Sequence, residues 1–201
     1  EDLENLNRSL SLMDAHLLSK TKNTDVILFH EPSFVDYKSR VTPVQNGKVI
    51  FQQVEFQAPP EGTPEILPHP IPEQVAKGNL GFSFGYRHMC WFFAGGMYEQ
   101  PIMAGYKYYL RLDTDSYILS PRNYDIFELM EKGGYKYGFI EEAIQHDNPA
   151  VIEGLYDFTG ATISGIPDGR MYYTNFEVGE VEFFTRDFYY MFFSYRIYAI
   201  S

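Results

Sequence analysis

Apolar side chains at Leu3, Leu6, Leu10, Met13 and Leu17 recur at steps of three, four, three and four, which predicts one stripe of an amphipathic helix over residues 2–19. Thr24 to Glu31 (TDVILFHE) follows as an apolar run of strand length, with His30 expected at its exposed end. From Ser39 to Glu55 the pattern loosens around Asn46-Gly47, a dipeptide that favours tight turns, and a hairpin is expected there. Residues 58–72 (APPEGTPEILPHPIP) hold six prolines and read as a surface excursion. A helix is predicted from Tyr86 to Tyr98, stopped by glycine-containing sequence and Pro101.

From Tyr106 onward, strands and helices alternate: strand 106–112, helix 124–132, strand 135–141, helix 149–158, strand 175–184 broken at Gly179, and helix 187–200. Such alternation predicts an α/β fold, with a mostly parallel sheet covered by helices on both faces, and 201 residues suit a single domain. Ligands of such sheets bind beyond the carboxyl ends of the strands. Gly78, Gly81 and Gly85 form no phosphate-loop pattern, because no Gly-Lys-Ser/Thr and no Gly-x-Gly-x-x-Gly is present.

Charge narrows the partners. The chain carries 16 Lys plus Arg against 27 Asp plus Glu, a net −11, so a nucleic acid partner is not expected. A phosphorylated ligand would need a divalent cation between itself and the protein's carboxylates. The single Cys90 leaves no intrachain disulfide and no Cys-rich zinc site, and between Met89 and Trp91 it reads as a core thiol. No stretch approaches the roughly 18 apolar residues of a membrane span. The 17 Tyr and 17 Phe exceed what core filling needs, so many rings are expected half-buried, with hydroxyls at a surface or ligand.

The strand YKYYLRL runs directly into Asp113-Thr114-Asp115. In extended chain, residues two apart face the same side, so both carboxylates can approach one cation. That suits departure of a nucleoside diphosphate, where Mg²⁺ or Mn²⁺ neutralises charge growing on the leaving oxygen. Haloacid-dehalogenase-like phosphohydrolases also begin with Asp-x-Asp after an apolar strand. Their pattern has Thr or Val where this chain has Tyr117, and no later Lys and Asp-Asp elements stand out here. A calcium loop would require a later Gly and Glu that are missing. Glu141, Glu142 and His146 lack metal-ligand spacing and read as a solvated strand end and loop.

Five pieces occur in one order: Tyr86-Arg87-His88-Met89-Cys90, Tyr108 to Asp115, Tyr124-Asp125-Ile126-Phe127, Lys136-Tyr137-Gly138-Phe139 and Thr174-Asn175-Phe176-Glu177. Together they resemble the fungal α-1,2-mannosyltransferases of glycosyltransferase family 15. The resemblance implies a GT-A (Rossmann-like) fold, a GDP-mannose donor, Mn²⁺, a saccharide or glycosylated acceptor, and transfer with retention at the anomeric carbon. It assigns Asp113 and Asp115 to the metal, Arg87, His88 and Arg111 to the donor diphosphate, and Glu177 to catalysis as the carboxylate that stabilises positive charge at the anomeric carbon. It also implies a membrane-anchored Golgi-lumenal protein.

Departures from the family pattern are specific. Asp113-Thr114-Asp115 stands where members carry Glu-Pro-Asp, which keeps both carboxylates, and Trp91 stands in place of an Arg. The pattern also opens with a strand before the first helix and continues to an Arg-Trp-Gly-Asp-Ala-Pro segment with a metal-binding His. The chain is therefore expected to be a GT-A-like domain cut at both ends. The other reading is a non-catalytic carbohydrate-binding or remnant domain of the same fold.

Overall fold

The computed structural model describes residues 2–55, 66–67, 81–144, 170–173 and 175–185, and every structural statement below concerns these. The helices expected at 149–158 and 187–200, and nearly all of the proline-rich excursion, lie outside them. The chain divides into two compact units: Glu1–Gln57 with Leu110–Gly138 and Asn175–Glu177, and Ala58–Tyr109 with Phe139–Thr174 and Val178–Ser201.

The first unit opens with helix α1 (Asp2–His16), followed by a short 3-10 helix (Leu18–Lys20). The predicted leucine stripe is its buried face. Leu6, Leu10 and Leu18 form a core with Val26, and Leu3, Met13, Leu28, Phe34, Val41, Val44 and Val49 pack against it. Strand β1 (Val26–His30) pairs in parallel with β2 (Val49–Gln53), in a register running from Val26 opposite Val49 to His30 opposite Gln53.

This pairing overturns the expected hairpin. A 3-10 helix over Pro32–Arg40 carries the chain back so that β2 lies beside β1 in the same direction. Gly47 serves a different purpose from a hairpin turn, since a Cβ there would stand 2.7 Å from the Thr24 carbonyl oxygen. His30 is also not exposed. It is 6% accessible, its ring lies 5.7 Å from Phe34 and 6.3 Å from Phe51, and its Nδ1 meets the Glu31 carbonyl at 2.8 Å.

Strand β5 (Tyr108–Leu112) is followed by helix α3 (Ile126–Gly133), whose ends are set by sequence. Asp125 caps the first turn by accepting from the amides of Phe127 and Glu128, and Gly134 ends the helix in the left-handed region at φ 63°.

In the second unit, β3 (Ile66–Leu67) and β4 (Phe82–Ser83) form a short antiparallel pair. Helix α2 (Phe84–Trp91) is capped by the Ser83 hydroxyl and runs into a π-turn over Phe92–Gly96. Cys90 on α2 is exposed, not a core thiol, while Phe92, Met97 and Met103 carry the burial in this part of the chain. Strands β7 (Glu142–Ile144) and β8 (Arg170–Tyr172) form another antiparallel pair that the sequence pattern did not reveal.

The remaining sheet has the order β5-β9-β6, with β6 at Tyr137–Phe139 and β9 at Phe176–Glu180. The Asp113 amide donates to the Asn175 carbonyl and the Val181 amide to the Lys107 carbonyl, so partner numbers fall as β5 advances and the two strands are antiparallel. The α/β class stands, with parallel and antiparallel pairing mixed. The strand expected through residue 184 ends at Glu180, where helix α4 (Val181–Thr185) begins.

Candidate active site

Beyond the carboxyl end of β5 the chain turns sharply. The Ser116 amide donates to the Asp113 carbonyl at 2.9 Å, closing a β-turn over Asp113-Thr114-Asp115-Ser116. The two carboxylates therefore sit on a turn rather than on extended chain, which replaces the alternation argument that first linked them. Asp113 is partly buried and ion-paired to Arg111, with Nη2 to Oδ1 at 3.3 Å. Burial pushes the Asp113 carboxyl above the usual range; the Arg111 guanidinium opposes that, and the charge of Asp115 adds to it. Asp115 itself is exposed.

Antiparallel register brings the third carboxylate to this end of the sheet. With Asp113 opposite Asn175 and Lys107 opposite Val181, Arg111 stands directly across from Glu177, and both side chains leave the same face. Farther along the same pair, Gly179 lies across from Tyr109, and a Cβ on Gly179 would fall 2.6 Å from the Tyr109 ring. Glu177 is 6% accessible, and its Oε2 accepts the Tyr137 hydroxyl of β6 at 2.8 Å. A buried carboxylate is tolerated only when it is hydrogen-bonded or paired. Central strand β9 thus holds Glu177 between Arg111 on one neighbour and Tyr137 on the other.

Of the residues singled out from sequence, Arg111, Asp113, Asp115 and Glu177 all belong to the first unit, at one end of β5 and β9. Arg87 and His88 belong to the second unit. Both lie against Phe84 one turn earlier on α2, with the guanidinium 5.3 Å and the imidazole 4.3 Å from its ring. Trp91 closes on the Gly96 backbone, where a Cβ would meet its ring at 2.9 Å. Tyr137, which holds the buried Glu177, is a contact that sequence pattern alone did not single out. Its motif stood in the sequence, but the partner of its hydroxyl is forty positions away.

Two carboxylates on one turn are hard oxygen donors suited to Mg²⁺ or Mn²⁺, which keep several waters or ligand oxygens in their shells. Burial is the main reason the Asp113 carboxyl is raised, with the charge of Asp115 a smaller one, and a divalent cation held by both carboxylates would favour their charged forms. Asp113 and Asp115 fit such an ion as two of its ligands. Among the described residues no group of three or more His, Cys, Asp or Glu side chains is assembled for one.

The mixed α/β fold is of the GT-A type, as its likeness to two solved structures shows. Core-mannan synthase A from Aspergillus fumigatus, solved in a Mn/GDP form, matches with a TM-score of 0.77 at 22% identity, over 98% of this chain and 61% of that one. The Saccharomyces cerevisiae mannosyltransferase Ktr4p, solved with GDP, gives 0.68 at 21% identity, covering 96% and 57% of the two chains.

The family model described as glycolipid 2-alpha-mannosyltransferase matches residues 1–159, and the chain belongs to this family, glycosyltransferase family 15. Curated relatives include the probable mannosyltransferase KTR3 of Saccharomyces cerevisiae, 26% identical over 96% of this chain and 54% of the relative. The alpha-1,2 mannosyltransferase KTR1 of the same yeast is 26% identical over 83% and 43%. The chain thus spans about half the length of the curated relatives it matches. Family membership removes the phosphohydrolase reading of Asp113-Thr114-Asp115.

Proposed function

We propose that the protein is a metal-dependent retaining mannosyltransferase that moves mannose from GDP-mannose to a hydroxyl of a saccharide or glycosylated acceptor. The observation that carries this reading is the convergence of Arg111, Asp113 and Glu177 at one end of two paired strands, with Glu177 buried and oriented by Tyr137. The printed names of the family relatives and the GDP-bound forms of the two solved neighbours support the donor.

In this reading Asp113 and Asp115 hold Mn²⁺, which when bound offsets charge on the diphosphate as the glycosidic phosphate bond breaks. The electron pair of that bond leaves with GDP. Glu177 presents a fixed carboxylate to the positive charge that develops at the anomeric carbon. The acceptor oxygen bonds to that carbon on the face the diphosphate vacates, and its proton passes to the departing phosphate oxygen. Arg111 orients Asp113 through their ion pair. Arg87 and His88 contact the diphosphate or acceptor, a role supported by the family motif alone.

A binding series on the full-length protein tests the donor and the metal. Thermal unfolding is followed with GDP, UDP and dTDP, each with and without Mn²⁺. GDP with Mn²⁺ at about 100 times its Kd raises Tm by roughly 5–10 °C, and Asp115→Ala abolishes the shift. An equal response to all three nucleotides rejects the donor, and a response indifferent to Mn²⁺ rejects the carboxylate roles.

Family membership also supports a Golgi-lumenal, membrane-anchored protein. Among the described residues no helix is long and apolar enough to cross a membrane. Imaging of the tagged full-length protein outside the Golgi would remove that assignment.

A further inference from the structure

Helix α1 carries more than its leucine stripe. Asn5, Ser9 and His16 lie four and seven residues apart, which places them along one side of the helix. All three grip the consecutive residues Ser116, Tyr117 and Ile118, the first of which closes the carboxylate turn. The Tyr117 hydroxyl donates to Asn5 Oδ1 at 2.9 Å, the buried Ser9 hydroxyl donates to the Ser116 carbonyl at 2.7 Å, and His16 Nδ1 meets the Ile118 carbonyl at 2.5 Å. A carbonyl partner requires that this Nδ1 carry the proton. The Arg8 guanidinium covers the Tyr117 ring at 4.6 Å, and the Arg122 amide donates to the His16 carbonyl at 2.9 Å.

The opposite flank of the leucine stripe has a different client. Asn7 accepts from the Thr42 amide and donates to the Arg40 carbonyl, and Asp14 accepts from the amides of Gln45 and Asn46. One helix thus has an apolar centre and two polar flanks, one bonded to the β1–β2 connection and the other to residues 116–118 at the end of the carboxylate turn.

We propose that Asn5, Ser9 and His16 are positioning residues for the metal-binding turn, setting where Asp115 stands relative to Asp113. Ser116 is fixed from both sides: its amide is bonded to Asp113 and its carbonyl to Ser9. The Asp113 amide is tied in turn to the carbonyl of Asn175, just before β9. Asp115 therefore hangs between a strand anchor and a helix anchor. Outer partners of this kind tune metal affinity by holding first ligands in place. The inference rests on the metal role given above to Asp113 and Asp115.

The experiment compares the Mn²⁺ concentration for half-maximal GDP binding in full-length wild type, Ser9→Ala, Tyr117→Phe, Asn5→Ala with Tyr117→Phe, and Asn7→Ala. Metal-free amide hydrogen exchange at Ser116 to Ile118 and Tm are recorded on each. Ser9→Ala and Tyr117→Phe each raise the Mn²⁺ requirement roughly tenfold and speed exchange at these amides. The double variant matches Tyr117→Phe, because both changes remove one bond. Asn7→Ala lowers Tm and leaves the Mn²⁺ requirement and these exchange rates unchanged. Unchanged Mn²⁺ requirement in Ser9→Ala and Tyr117→Phe overturns the proposal, as does an equal rise in Asn7→Ala. Wild type whose GDP binding ignores Mn²⁺ overturns the underlying metal role and this proposal with it, an outcome separate from loss of the helix effect alone.

Discussion

The Tyr137 hydroxyl donates to Glu177 Oε2 at 2.8 Å, joining the edge strand β6 to the central strand β9 at a buried carboxylate across from Arg111. A hydrogen bond to a charged group contributes about 1.5–3 kcal/mol, and each 1.36 kcal/mol of transition-state stabilisation is tenfold in rate. Tyr137→Phe is therefore expected to lower kcat roughly 10- to 100-fold, with GDP binding retained. Steady-state transfer assays and GDP titration on the same preparation separate these effects; wild-type kcat would reduce Tyr137 to a packing residue.

Glu177→Gln keeps the shape and the Tyr137 contact but removes the negative charge. Transfer falls by roughly 100-fold or more, while Mn²⁺-dependent GDP binding persists. If transfer and binding decline together, Glu177 holds the fold rather than the anomeric centre.

Asp14 supplies a pH test away from the site. Partial burial raises its carboxyl pKa, but the amides of Gln45 and Asn46 and the Asn46 side chain outweigh this and hold it below the ordinary value. A depressed acid adds stability that is present above its unfolded pKa of about 3.9 and is lost as pH falls through the folded value. Asp14→Ala is expected to cost about 1 kcal/mol at pH 7, discounted for solvent exposure, with the difference from wild type shrinking in acid below pH ~4. Denaturant unfolding at several pH values measures it, and a penalty independent of pH would rule out the charge as its source.

Gly179→Ala probes the ring cluster of the second unit. Tyr98 and Phe184 stack at 5.1 Å, the Tyr98 hydroxyl donates to that of Tyr109 at 2.7 Å, and a Cβ on Gly179 would come within 2.6 Å of Tyr109 and 2.7 Å of Phe184. Both rings would have to shift, so a loss of about 1–3 kcal/mol is expected by chemical denaturation. Wild-type stability would mean that the rings yield freely.

What the sequence disclosed divides along physical lines. The α1 stripe was legible because burial of Leu6 and Leu10 needs only helical spacing, and α3 because Asp125 and Gly134 act on their own backbone neighbourhood. Asp113 and Asp115 were legible as a pair of carboxylates at a strand end, and the structure places them on the turn after β5. The hairpin at Asn46-Gly47 was misread because pairing with β1 overrides a local turn preference, and the glycine answers to Thr24 instead. His30 looked exposed by position, yet Phe34 and Phe51, from the two elements that follow it in sequence, pack against it. Tyr137, Asn5 and Ser9 were illegible for one reason: each acts through a partner that only the folded chain brings near.

Distance along the chain has one more consequence. The bonds from Tyr117 to Asn5 and from Ser9 to Ser116 close loops of 112 and 107 residues. Such closures come late in folding, after local helices have formed and the entropy of the intervening chain has been lost. During synthesis, Ser9 of helix α1 is made 107 residues before the Ser116 carbonyl that it holds. On the proposed metal role, a molecule that has formed the helix but not these two bonds is expected to lack Mn²⁺-dependent nucleotide binding.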